Sequence, residues 1–282
     1  MESSTNPIFP SHALQSPPAA VRKDHTSLIG FYNSLAERWA RDAEMFRDDL
    51  ISRPMIVELA RKMGSEGVIL DCGCGDGNLA RLMSPFAKEV IGLDICPGML
   101  AEARKRSVDG DKIRYVDGDM LDLRGTAGVE PESVDLCVAV YAVCCLENRD
   151  QLNRAFREIY QSLKPGGNAI IQIPQPLESY FKVSSLWAMD ENPPENYYAS
   201  GRVVFRNLKT VGGGRLRVAR HHFTLSDYFN AVILSGLSLK QVIEPRPSDR
   251  LVAQYIDLKR ESQLPFSIIL LAQRNASELI SS

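Results

Sequence analysis

The 282-residue chain has no long basic run, and its formal net charge is only −2. Phosphate backbones are bound by clustered Lys and Arg, so this balance argues against nucleic acid as a partner. No apolar stretch approaches the roughly 20 residues that a membrane-spanning helix needs, which argues against a membrane partner. The opening residues, MESSTNPIFPSHALQSPPAA, are polar and rich in Ser and Pro, with no signal-peptide apolar core. Residues 1–24 are therefore expected to form a disordered leader, and 25–282 one domain. The six cysteines form no disulfide framework, and several lie in apolar runs. Buried thiols in a reducing compartment account for them, so a cytoplasmic protein is expected. No internal repeat is present. With 44% hydrophobic residues, the chain can build one substantial core.

What is present is a strand–helix rhythm. Apolar residues at helical spacing run from Gly30 to Arg53, and a second helix is expected over Pro54–Met63, opened by proline. Short apolar runs follow at 68–71, 90–94, 112–118, 133–142 and 168–173, with helical segments between them. Asp150 is expected to cap a helix with Leu152, Ala155, Phe156, Ile159 and Leu163 on its apolar face. KPGG (164–167) is expected to end it. Near-continuous apolar strands in this alternation predict a doubly wound, Rossmann-like α/β sheet. Runs at 237–245 and 265–274 bring it to about seven strands, the last antiparallel. Between them, 175–222 breaks the rhythm and contains two extended runs around Gly212–Gly214, read as a hairpin. That segment is expected to be an inserted lid. Thr224 and Asp227 resemble a capping box.

The stretch ILDCGCGDGNLA (69–80) holds the chemistry. Cys72 and Cys74 have no second pair or histidine at zinc spacing, so no metal site is expected. A phosphate-binding P-loop needs Lys and then Ser or Thr after its last glycine, where this chain has Asn78 and Leu79. A dinucleotide loop prefers glycines spaced by two and then three. Gly73, Gly75 and Gly77 depart from that by one position, so a dinucleotide-dependent oxidoreductase remains the alternative reading.

The pattern D-x-G-x-G-x-G at the end of the first strand resembles the first motif of class I S-adenosylmethionine-dependent methyltransferases. The resemblance continues in order over 30–174, and it is similar to the small-molecule, ubiquinone/menaquinone-methyltransferase-like branch. It implies S-adenosyl-L-methionine as cofactor. Asp71 would face the methionine ammonium, and Gly73, Cys74 and Gly75 would let the backbone approach. Asp94 in VIGLDICPGML would accept from the ribose hydroxyls. Asp119 in DGDM would accept from the adenine amino group, with Met120 along the base and Ile95 and Met99 as walls. Tyr32 and Trp39 of the N-terminal helix would close over the cofactor.

The acceptor is less legible. Tyr141, in VAVYAVCCLEN, stands where the family's fourth motif falls, and is expected to touch cofactor or acceptor. His221 and His222 are candidate general bases. If they lie in a strand they face opposite sides, so at most one can enter a pocket. Asn192-Pro-Pro-Glu195 resembles a nitrogen-methylating motif but lies after the wrong strand, and is read as loop. Cys72, Cys144 and Cys145 do not match arsenite-binding spacing. Tyr180, Phe181, Trp187, Met189, Tyr197, Tyr198 and Phe205 give the lid an aromatic character that suits a small, partly apolar acceptor receiving a methyl on O or N. A monomer or homodimer is expected.

Overall fold

The computed structural model describes residues 26–42, 50–180, 188–190, 196–209, 215–259 and 262–276. The expected leader, Phe181, Trp187 and the Asn192–Glu195 stretch lie outside these residues. Helix α1 is Thr26–Asp42 and α2 is Ser52–Gly64. Then come β1 (Val68–Cys72), α3 (Asn78–Met83), β2 (Glu89–Asp94), α4 (Pro97–Arg106), β3 (Ile113–Asp117), α5 (Leu123–Ala127) and β4 (Val134–Val140). A 3-10 turn at Val143–Cys145 leads into α6 (Arg149–Ser162) and β5 (Leu163–Pro174). The second half holds β6 (Ala188–Asp190), β7 (Val203–Lys209), β8 (Arg215–His221), α7 (Leu225–Leu234), β9 (Ser238–Ile243), α8 (Asp249–Gln254) and β10 (Ser267–Gln273).

The main sheet has seven strands in the order β3-β2-β1-β4-β5-β10-β9. β10 runs antiparallel to both β5 and β9, as expected for the last strand. Strand alternation divides the core. Ile69, Val90, Leu136, Val138 and Ile170 pack on one face with Ile56 and Ala60 of α2 and Leu79 and Met83 of α3. Leu70, Ile91, Cys137, Ala139 and Ile171 pack on the other with Phe156 and Ile159 of α6 and Tyr228 of α7. Both faces are therefore apolar, which is why these strands read as continuous hydrophobic runs.

Two local expectations need correction. Asn148, not Asp150, caps α6: its side chain accepts from the Gln151 amide at 3.0 Å. Asp150 sits in the first turn, where its charge suits the helix dipole. KPGG does not end the helix. Val134 pairs with Leu163 and Leu136 with Asn168, so these four residues are extruded from β5 as a bulge. Thr224 and Asp227 do form a capping box on α7.

The expected hairpin forms, with Val203 opposite His221 and Lys209 opposite Arg215. β6 adds a third strand through Ala188 and Leu208. This small sheet is tied to α1, where the Tyr32 hydroxyl donates to the Ala219 carbonyl at 2.6 Å. Among the described residues, no helix is long and apolar enough to cross a membrane.

Candidate active site

The carboxyl ends of β1, β2, β3 and β4 open into one cavity of about 300 Å³, roofed by α1 and the small sheet. Its wall begins with the glycine loop. Gly73 has φ +80°, and a Cβ there would stand 2.4 Å from the Ala142 Cβ. The β1 loop and the β4 loop thus touch through a missing side chain. Gly75 has φ +55°, yet a Cβ there meets nothing within 4 Å. Its need for glycine is conformational, and the space beside it is cavity.

Asp94, at the end of β2, pins this loop. Its Oδ2 accepts from the Gly75 amide at 2.8 Å and its Oδ1 from the Cys96 amide at 2.9 Å. Each carboxylate oxygen retains a further lone pair. Asp119 is buried, and its Oδ1 accepts from the Leu121 amide at 2.9 Å. Asp71 is buried, and its Oδ2 has no hydrogen-bond partner among the described residues. Burial first, and then the Asp94 carboxylate, push its pKa up to about 7, against the opposing Ala80 amide. Burial likewise raises Asp94 above the ordinary carboxylate range.

Every cofactor candidate chosen from the sequence lines this cavity: Tyr32, Trp39, Asp71, Gly73, Cys74, Gly75, Asp94, Ile95, Met99, Asp119, Met120 and Tyr141. The ring of Trp39 stands edge-to-face on Tyr32 at 6.2 Å. Arg53 is half-buried in the wall. Cys74 reaches the cavity, whereas Cys72 is buried on the core side against Cys137.

The histidines require a correction. Neither His221 nor His222 is among the wall residues. His221 Nδ1 lies 3.3 Å from the Cys145 carbonyl oxygen, and His222 Nε2 lies 2.8 Å from that of Tyr197. A nitrogen bonded to a carbonyl carries the hydrogen and cannot also receive one. The register explains the placement: Leu208, Val218, Arg206 and Arg220 share the cavity-facing side of β7–β8. His221 falls on the other side, and His222 lies past the strand end. The aromatic expectation shifts in the same way. Tyr180, Tyr197, Tyr198 and Phe205 do not line the cavity; Tyr180, Tyr197 and His222 stack on one another instead.

Tyr141 has φ +53°, a left-handed conformation that is strained for a bulky residue. Its amide donates to the Gln172 carbonyl at 2.9 Å, and its hydroxyl accepts from Gln172 Nε2 at 2.9 Å. Gln172 also donates to Ser267 at 3.0 Å. Sequence reasoning missed Gln172, although a lone amide inside NAIIQIP is a readable signal. It also missed Arg206 and Arg220, buried in the roof. The Cys144 thiol is held below its ordinary pKa by a hydrogen bond from Cys145 and by the Arg220 guanidinium, against burial.

A family model described as a methyltransferase domain matches residues 70–171. The probable S-adenosylmethionine-dependent methyltransferase CRG1 of Saccharomyces cerevisiae is 29% identical over 141 residues, 45% of this chain and 45% of that protein. The 18S rRNA (guanine-N(7))-methyltransferase bud23 of Schizosaccharomyces pombe is 31% identical over 113 residues, 37% of this chain and 40% of that protein. The chain thus spans less than half the length of either relative. A crystal structure of an S-adenosylmethionine-dependent methyltransferase from Mesorhizobium loti is 27% identical, with a TM-score of 0.61, over 78% of this chain and 96% of that one. The second relative corrects the exclusion of nucleic acid. A net charge near zero reports no local distribution, and a similar chain is named for methylating ribosomal RNA. None of these likenesses singles out the quinone-methylating branch, and none favours an oxidoreductase. A methyltransferase-type sheet, a glycine loop between β1 and α3, and acids at three successive strand ends mark residues 70–171 as a methyltransferase domain similar to those of S-adenosylmethionine-dependent methyltransferases.

Proposed function

We propose that this chain transfers a methyl group from S-adenosyl-L-methionine to a small acceptor held between the ends of β4 and β5 and the β7–β8 face. The carrying observation is the convergence of Asp71, Asp94 and Asp119 on one cavity, with an unpartnered buried oxygen on Asp71. A buried carboxylate oxygen without a donor suits a cationic group, and the cofactor's ammonium is one. Asp94 has lone pairs left for the ribose hydroxyls, and Asp119 and Met120 flank the place for the base. When bound, the cofactor supplies an activated methyl on a sulfonium. The protein's part is to align the acceptor with it and exclude water. The segment 175–222 then acts as the acceptor lid, through β7 and β8.

Calorimetry with S-adenosylhomocysteine and with NAD tests this reading. Binding of the first and not the second is expected; the reverse would restore the oxidoreductase. RNA is the second acceptor reading, favoured by the relative named for rRNA methylation. Labelled methyl supplied with small acceptors and with ribosomal RNA separates the two.

Asp71 makes cofactor binding pH-dependent. With its pKa near 7, the carboxyl keeps its proton in the folded protein at pH values where the unfolded chain has lost it. Its contribution to stability therefore falls as pH rises from about 4 to 7. An ammonium needs the ionised form, so binding below pH 7 expels a proton. Affinity for S-adenosylhomocysteine is expected to rise by up to about tenfold per pH unit below 7 and to level off above. Asp71→Asn should flatten that profile. A wild-type profile already flat between pH 5.5 and 7.5 would contradict the assignment.

A further inference from the structure

The acceptor half of the cavity presents arginine side chains, where the cofactor half presents a row of acids. Asp119, Asp94 and Asp71 lie at the β3-β2-β1 ends of the sheet. Past β4, the wall is Tyr141, Gln172 and Phe266 on one side and the β7–β8 face on the other. That face presents two arginines. Arg206 pairs across the strands with Val218, and Arg220 with Val204, so the two are diagonal neighbours on one surface. They are 6% and 8% exposed. Arg206 is ion-paired at 2.5 Å with Glu178, which is buried as well. The Arg220 guanidinium acts electrostatically on the Cys144 thiol and the Tyr228 hydroxyl. Glu147 also reaches the wall on this side. An anion entering here meets a guanidinium already out of bulk water, where charge-assisted hydrogen bonds are strongest.

A second observation concerns protons. A neutral hydroxyl must lose its proton as it is methylated, which calls for a base. Neither His221 nor His222 lines the cavity. A carboxylate needs no base.

We propose that the acceptor is a small carboxylic acid whose carboxylate lies against Arg220 and takes the methyl, giving a neutral methyl ester. This rests on the methyltransferase reading above and names the substrate class for the same site. The acceptor oxygen forms the new C–O bond as the S–C bond breaks. The bonding pair remains on sulfur, and no proton is taken up or released. The ester no longer complements Arg220, which favours its departure. Arg206, balanced by Glu178, holds the roof beside it.

The test uses the full chain, methyl-labelled cofactor, and benzoate, cinnamate, hexanoate and octanoate, each paired with its primary amide. Label is expected in an acid and not in its amide, and mild base should release it as volatile methanol, as only an ester allows. Arg220→Met should lower kcat/KM for that acid roughly 10- to 100-fold, the loss of a charge-assisted hydrogen bond. Its affinity for S-adenosylhomocysteine by calorimetry should stay at the wild-type value. Arg220→Lys should recover part of the loss, and it serves if the methionine variant does not fold. Base-stable label, equal use of an amide, label in RNA instead, or no binding or methylation of any acid would overturn the proposal. Loss of S-adenosylhomocysteine binding by the wild type would instead overturn the methyltransferase reading itself.

Discussion

Asp94→Ala should weaken S-adenosylhomocysteine binding by at least about a hundredfold while the sheet stays folded. Two charge-assisted hydrogen bonds to ribose hydroxyls, each worth roughly 1.5–3 kcal/mol, would vanish together. Every 1.4 kcal/mol is about tenfold in affinity. The structure adds a second cause. The same carboxylate accepts from the amides of Gly75 and Cys96, so it also holds the glycine loop against the start of α4. Asp94→Asn keeps the shape and can still accept at one oxygen, so its loss should be smaller. Titration calorimetry on the wild type and both variants reads the difference. An alanine variant with wild-type affinity would show that the ribose does not lie there.

Gly73→Ala should be strongly destabilising. Its Cβ would overlap that of Ala142 at 2.4 Å, and its φ of +80° disfavours any side chain. The left-handed backbone costs about 1–2 kcal/mol, and overpacking adds about 1–3 kcal/mol. At roughly 2–4 °C per kcal/mol, the melting temperature should fall by roughly 5–15 °C. Gly75→Ala is the matched comparison. Its Cβ meets nothing within 4 Å, so only the backbone cost applies to stability. The added methyl would instead face the cavity and reduce cofactor affinity. Equal melting temperatures for the two variants would mean that the β1 and β4 loops do not touch at Gly73.

The contrast between these glycines shows why the cofactor half of the site was readable. In a parallel sheet covered on both faces, ligand groups collect at the carboxyl ends of the strands. Asp71, Asp94 and Asp119 each sit at or just past such an end, and the glycines mark where the backbone must come close. Their roles follow from position along the chain, so local sequence is enough to find them. The fold was legible for the same reason, because apolar runs of strand length alternate with helical periods.

The acceptor half depends on something a single sequence does not display. β7 and β8 alternate apolar and charged residues on both faces, and only their seating on α1 decides which face roofs the cavity. Arg206 and Arg220 therefore look like ordinary strand arginines. His221 and His222 look like catalytic candidates, yet the register turns them away. The aromatic residues before β7 suggested a hydrophobic lid, whereas the described wall of the roof carries guanidinium groups among Leu208, Val218 and Ala219. Gln172 is the exception, since an amide in the middle of a buried strand must find partners.

A crystal structure of the full chain with S-adenosylhomocysteine tests the central claim most directly. The predicted result has the ribose hydroxyls on Asp94, the adenine amino group at Asp119, the amino acid end at Asp71, and the sulfur facing Tyr141. A ligand seated elsewhere, or one whose ribose and ammonium ignore these three acids, would contradict it.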